Sequence, residues 1–171
     1  MTRKIPQGDN VLRAVCDSCG YIQYENPRVI VGCLPEWEDQ ILLCKRAIEP
    51  RLGYWTLPAG FLENGESTQE GALRETMEET NISATIIEPY SLIDIPYINQ
   101  VYLLFRAQMD NINFSPTTES SEVSLFSEKS IPWDTIAFAA IKKTLRHYFD
   151  DRKNGLYSFH VETLEISTRK K

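Results

Sequence analysis

Residues 60–82 read GFLENGESTQEGALRETMEETNI, a Gly-bearing loop that runs into a helix carrying Glu75, Glu78 and Glu79. At about 100° per residue the three carboxylates fall within about 100° of arc, while Leu73 and Met77 point the opposite way into a core. The pattern predicts one apolar face and one strongly acidic face. Ser67-Thr68-Gln69-Glu70 has the form of a capping box, which sets where the helix begins. Like charges four residues apart cost a helix roughly a few tenths of a kcal/mol, and only Arg74 is near enough in sequence to offset three anions. Oxygen-only ligands suit a hard cation, Mg²⁺ or Mn²⁺, which usually bridges carboxylates to substrate phosphates. The alternative is a charged face that meets only water.

The flanking residues carry a resemblance. Gly60, Glu66, Arg74, Glu75, Glu78, Glu79 and Ile82 stand at the spacings of the Nudix box, with Thr76 where that family prefers an aliphatic residue and Asn81 where it has Gly. Asn tolerates the left-handed conformation that closes a helix, so Asn81 is expected to act as the C-terminal cap. Trp55-Thr56-Leu57-Pro58-Ala59-Gly60 is a second local likeness. The resemblance implies an α/β fold, the Nudix α/β/α sandwich with a mixed sheet, over about residues 28–150. It also implies metal ligation by Glu75, Glu78, Glu79 and the carbonyl of Ala59. One further loop carboxylate, Glu119 with Glu122 in reserve, is implied as metal ligand or general base. Arg74 and Glu66 read as an ion pair that orients the ligand carboxylates. Glu119, Glu78 and Arg74 are the residues expected to carry catalysis.

Composition sets the frame. The chain has 171 residues, 42% hydrophobic and 25% charged, which suits one globular domain with a substantial core. No apolar run reaches the roughly 18–20 residues of a membrane span, and the N-terminus lacks the apolar segment of a signal peptide or the Arg- and Ser-rich character of a transit peptide. A cytoplasmic setting is expected. With a net charge of −6 and no Lys/Arg cluster, a nucleic-acid partner is not expected. Four cysteines in such a chain suggest metal ligation or burial rather than disulfides.

Cys16-Asp17-Ser18-Cys19-Gly20 has zinc-knuckle spacing, but a structural Zn²⁺ takes four ligands and this is a single pair. Residues 1–27 resemble the second half of a zinc ribbon whose first half is absent ahead of Met1. Zn²⁺ completed by another chain, a metal-free remnant and a chain begun late all stay open. Cys33 and Cys44 sit in apolar runs and are expected to pack as small hydrophobes. Val29–Leu34 and Gln40–Lys45 read as a hairpin turning at Pro35–Asp39, with Arg46 following as a candidate phosphate ligand or a plain surface residue. Ala84–Ile95 and Val101–Met109 read as strands joined by Asp94–Gln100, where Tyr97 and Gln100 could stack on and hydrogen-bond a flat ring. A short strand is expected at Val123–Phe126. A final helix is expected with Asp134 as N-cap and Ala137, Ile141, Leu145, Tyr148 and Phe149 as its core stripe, His147 lying beside it. Residues 151–171 read as an extension that alternates through Tyr157, Phe159 and Val161 as a docking strand before a basic, mobile end.

Beyond the box, the likeness extends from Ile5 to about His160 and is closest to the FAD and ADP-ribose pyrophosphatases of plants and their bacterial relatives. It implies Mg²⁺- or Mn²⁺-dependent hydrolysis of a dinucleotide, FAD or ADP-ribose, with release of AMP. NADH is the alternative substrate, and a homodimer the implied assembly. The rival readings are a non-catalytic Nudix-like ligand sensor and a zinc-ribbon interaction module.

Overall fold

The computed structural model describes residues 1–165. Three short strands, β1 (Thr2–Lys4), β2 (Arg13–Val15) and β3 (Ile22–Gln23), form an antiparallel N-terminal sheet. The CxxC turn joins the last two, closed by Cys16 N–H to Tyr21 carbonyl (2.8 Å) and Gly20 N–H to Cys16 carbonyl (2.9 Å).

The main sheet is built from β4 (Arg28–Trp37), β5 (Gln40–Arg46), β6 (Trp55–Thr56), β7 (Ala59–Phe61), β8 (Ala84–Ile95), β9 (Gln100–Met109), β10 (Ser120–Phe126) and β11 (His160–Thr163). Its order is β10-β5-β4-β9-β8-β11, with β6 on β5 and β7 on β4. β4 runs parallel to β9 and β11 parallel to β8, while the remaining pairs are antiparallel, so the sheet is mixed. Helix α1 (Thr68–Thr80) covers one face and α2 (Ala139–Asn154) the other. Strand periodicity assigns the layers: Val31, Cys33, Phe105 and Ala107 pack with Ala72 of α1, whereas Ile30, Leu34, Tyr102 and Leu104 pack with Ile141, Leu145 and Tyr148 of α2. This is the expected α/β/α sandwich. No helix among the described residues is long and apolar enough to cross a membrane.

A buried polar staple ties α2 to the sheet. Glu36 accepts from Arg106 Nε (2.7 Å) and Nη2 (3.2 Å) and from Tyr148 Oη (3.1 Å), and Arg106 Nη1 donates to Glu88 (2.6 Å). Satisfying both charges with several bonds is what makes their burial tolerable.

Four local expectations are corrected. β4 continues through Pro35 to Trp37, and the turn is the two residues Glu38-Asp39, with Glu38 at φ 52. β10 begins at Ser120 rather than Val123, because β5 offers it a partner for its whole length. α2 starts at Ala139 with Phe138 as N-cap, and Asp134 lies in a single 3₁₀ turn, Trp133–Thr135. Met77 is 40% exposed, whereas Gly71, Ala72, Glu75, Thr76, Glu79 and Thr80 are the buried residues of α1. The tail strand does dock, as β11 along β8. The basic end expected beyond it lies outside the described residues.

β7 reaches the site because it crosses β4 closely at Gly32. A Cβ there would lie 2.3 Å from the Pro58 carbonyl oxygen and 2.4 Å from Ala59 Cβ. Both neighbours are fixed by the sheet, so Gly32→Ala is expected to cost about 2 kcal/mol of stability in urea denaturation, at the scale of overpacking.

Candidate active site

The loop after β7 and the start of α1 are set by local chemistry. Ser67 Oγ accepts from Glu70 N–H (3.3 Å) and Glu70 accepts from Ser67 N–H (2.8 Å), completing the capping box. At the far end Asn81 takes φ 57, ψ 25 and donates its N–H to the Met77 carbonyl (2.8 Å), as expected of the cap. Thr76, fully buried in the aliphatic position of the box, turns its hydroxyl back to the Ala72 carbonyl (2.7 Å), which satisfies it without a partner outside the helix.

Glu75, Glu78 and Glu79 face a common open cavity of about 720 Å³. Ala59, Gly60, Arg46, Arg74, Tyr97, Gln100 and Glu119 also line it. The residues predicted from sequence as ligands, base and substrate contacts are therefore brought together, apart from four. Glu66 stands behind the wall as the partner of Arg74. Glu122 lies outside the lining and pairs with Lys45 at 3.2 Å. Cys16 and Cys19 belong to the N-terminal sheet.

Arg74 is the organising cation. Its Nε and Nη2 grip the two oxygens of Glu66 (3.0 and 2.8 Å), Nη1 donates to Glu75 (2.8 Å) and Glu78 (3.1 Å), and Nη2 also reaches the Phe61 carbonyl (3.1 Å). The bidentate bond from Arg74 and the Glu63 N–H hold the Glu66 carboxyl down at about 2. Glu75 is pushed above its ordinary value by burial, against the pull of Arg74. Burial pushes Glu79 up to about 7 even though Ala59 N–H donates to it (3.0 Å), with the Glu75 charge adding to the rise. Cys44, fully buried behind Glu79 with Sγ 3.5 Å from its oxygen, has its thiol pushed well up by burial and by that carboxylate. Two buried carboxylates, both pushed up by burial, stand beside Glu78 and Glu119, against the guanidiniums of Arg74, Arg46 and Arg51.

Arg46 is buried, donates Nε to the Pro50 carbonyl (2.7 Å) and lies 5.2 Å from the Phe138 ring centroid. Its strand neighbour Ala47 fixes the Glu119 backbone by donating to the Glu119 carbonyl (2.8 Å).

Sequence reasoning missed Arg51 and Leu164 of the wall. Arg51 adopts φ 68 in the loop after β5 and had a signal in its proximity to Arg46. Leu164 had none. It reaches the cavity because β11 docks on β8, with Leu164 N–H bonded to the Asp94 carbonyl (2.8 Å), His160 bonded to Asp151 (2.7 Å) and Glu162 held by Lys143 and His147.

In the N-terminal sheet, hydrogen bonds from Ser18 and Cys19 lower the Cys16 thiol to about 6. Two thiols make half of a tetrahedral zinc site. No third His, Cys, Asp or Glu joins Cys16 and Cys19 in a metal-holding group among the described residues.

A mixed sheet between two helices, with a glutamate-bearing helix held under a Gly-containing strand, defines a Nudix-type hydrolase scaffold. Residues 26–149 match the NUDIX domain family and residues 1–25 the Nudix N-terminal family, and the chain belongs to the Nudix hydrolases. It is 50% identical to a NUDIX hydrolase from Nitrosomonas europaea of known crystal structure, covering 95% of this chain and 93% of that one at a TM-score of 0.92. Among curated proteins, the NAD-capped RNA hydrolase NudC of Vibrio parahaemolyticus is 31% identical over 84% of this chain, which spans 56% of that protein's length. An ADP-ribose pyrophosphatase of Methanocaldococcus jannaschii is 42% identical over 62 residues, 36% of this chain and 37% of that protein.

Proposed function

We propose that this chain hydrolyses the pyrophosphate of a nucleoside diphosphate linked to a second moiety, ADP-ribose or FAD, releasing AMP. The observation that carries the reading is the shared cavity: Glu75, Glu78, Glu79 and Glu119 face it together with Arg46, Arg51 and the exposed ring of Tyr97. Four carboxylates and a diphosphate bring more negative charge into that space than Arg46, Arg51 and Arg74 offset, which leaves room for a cation.

The donor set fits a hard dication. It is all oxygen, and Glu79, protonated to about neutral pH, would ionise beside Mg²⁺ or Mn²⁺. Glu75, Glu78, Glu79 and the Ala59 carbonyl would hold the ion. When bound, such an ion supplies charge to the diphosphate oxygens and brings a water toward ionisation at neutral pH. The protein's own residues do the rest. Arg74, locked on Glu66, keeps Glu75 and Glu78 from drifting. Arg46 and Arg51 receive the phosphate charge, and Arg46 is pre-set by its Pro50 bond. Glu119, held through its backbone by β5, takes the proton of the attacking water or completes the ligand set. Tyr97 stacks on the base and Gln100 hydrogen-bonds it.

NADH is the second substrate reading, favoured by the NudC relative, whose alignment covers most of this chain. FAD rests on the sequence resemblance described above. Four free cysteines suit a reducing compartment such as the cytoplasm. The test is a dinucleotide panel (ADP-ribose, FAD, NADH) with Mg²⁺ or Mn²⁺, scored by AMP release. We expect turnover on at least one member, abolished by chelator. Failure on every diphosphate would overturn the enzymatic reading.

A further inference from the structure

A second cavity of about 530 Å³ lies between the N-terminal sheet and the β8–β9 turn. Arg3 from β1, Arg13 from β2 and Arg28 from β4 line it, against the single carboxylate of Glu25. These arginines are far apart in sequence, so no basic cluster announces them. Arg13 is already committed, to Asp9 at 3.0 Å and to the Tyr24 ring. Arg3 and Arg28 have no carboxylate partner within 4.0 Å among the described residues, which in a chain of net charge −6 is a local reversal of sign.

This cavity adjoins the candidate active site. Ile98 lines both, and Asn99 of the second cavity precedes Gln100 of the first. Arg28 stacks 5.1 Å from the centroid of Phe61, a wall of the first cavity. With the base on Tyr97, as proposed above, the space past the neighbouring Ile98 is open to a substituent on that nucleoside's ribose and is walled by the arginines. Guanidinium groups recognise phosphate by charge-assisted bonds.

We propose that the Arg3–Arg28 cavity is a subsite for a phosphate on the ribose of the bound nucleoside. This rests on the pyrophosphatase reading above and extends it: the favoured substrates carry a 2′- or 3′-phosphate, either on a phosphorylated free dinucleotide or at the 5′ end of an oligoribonucleotide.

The experiment is calorimetric titration of the full chain at low salt, where charge pairing is least screened. The ligands are AMP, adenosine 2′,5′-bisphosphate, adenosine 3′,5′-bisphosphate and the trinucleotide pApApA. One or more of the phosphorylated forms is expected to bind about tenfold tighter than AMP, a gain of the size charge-assisted bonds give. The gain is expected to shrink below about twofold in the Arg3→Ala/Arg28→Ala protein. A gain with the 2′-phosphate alone assigns the subsite to free dinucleotides, and one that grows from the 3′-phosphate to pApApA assigns it to an RNA end. Arg3→Ala alone, on an exposed edge strand, serves if the double variant unfolds, and should lose part of the gain. AMP binding that no added phosphate improves overturns the subsite and leaves the pyrophosphatase reading standing, as does a gain that survives both substitutions. Absence of AMP binding together with absence of dinucleotide cleavage overturns both.

Discussion

Replacing Glu78 by Gln is expected to lower AMP release by about 10³-fold, the equivalent of about 4 kcal/mol of transition-state stabilisation, with the fold left in place. Glu78 is the cleanest of the acidic trio to test. Its side chain is 54% exposed, and its polar contact is one Arg74 nitrogen at 3.1 Å. A half-exposed ion pair of that kind contributes at most about 1 kcal/mol, so the melting temperature should move by only a few degrees. Gln keeps the shape and removes the charge. The loss of rate therefore reports on the dication and the diphosphate, and not on packing. Steady-state AMP release at saturating Mg²⁺, alongside a thermal melt, decides it. Activity retained above about a tenth of wild type would mean that the acidic helix face does not carry the chemistry. Unchanged ligand binding in a protein that never showed turnover would be the behaviour of a sensor.

What could be read in the sequence was what local chemistry determines. The capping box, the Asn81 cap and the β8 strand depend on neighbours a few residues away, and each is found as expected. The burial of Glu75 and Glu79 and the exposure of Met77 were not read from the pattern of α1, for a physical reason. The helix lies with part of its acidic face against β7, close enough that a Cβ on Gly60 would sit 2.3 Å from Glu75 Oε2, and a Cβ on Gly71 2.7 Å from Glu66 Oε1. Glycine at those two positions lets backbone approach carboxylate, so Glu75 and Glu79 are buried while Met77 is left exposed, and Leu73 packs on the cluster of Val31 and Phe105 as expected. The start of α2 failed in the same way. Asp134 satisfies the local pattern of an N-cap, but the Ala137 N–H is taken by the Trp55 carbonyl (2.8 Å), which keeps Ile136 and Ala137 extended beside β6. The arginines of the second cavity and Leu164 of the first come together only through strand pairing across the chain, and no window of sequence contains that information.

The burial of Glu79 leads to the other large effect, an opposition between stability and activity at one carboxyl. Its pKa of about 7 in the fold, against an ordinary 4.5, means that between those values the native protein keeps a proton that the unfolded chain releases. Unfolding then frees protons, so stability falls as pH rises through that window, and is fully present only below it. The difference corresponds to about 3 kcal/mol by pH 8. Glu79→Gln removes the titration, while its amide oxygen can still accept the Ala59 N–H. In chelator the variant is therefore expected to match wild type near pH 4.5 and to exceed it by about 3 kcal/mol near pH 8 in urea denaturation. Glu75 is also raised by burial, but it titrates in both proteins, and the difference between the two curves isolates Glu79 to first order. Turnover is expected to fall as far as in Glu78→Gln, because the charge that destabilises the metal-free fold is the charge a dication would need. Added Mg²⁺ should raise wild-type stability most at high pH, where ionising Glu79 costs the most, and should leave the variant nearly unmoved. A wild-type curve that stays level relative to the variant from pH 5 to 8 would show that Glu79 is not held protonated, and would remove the reason the buried face of α1 has to recruit a cation.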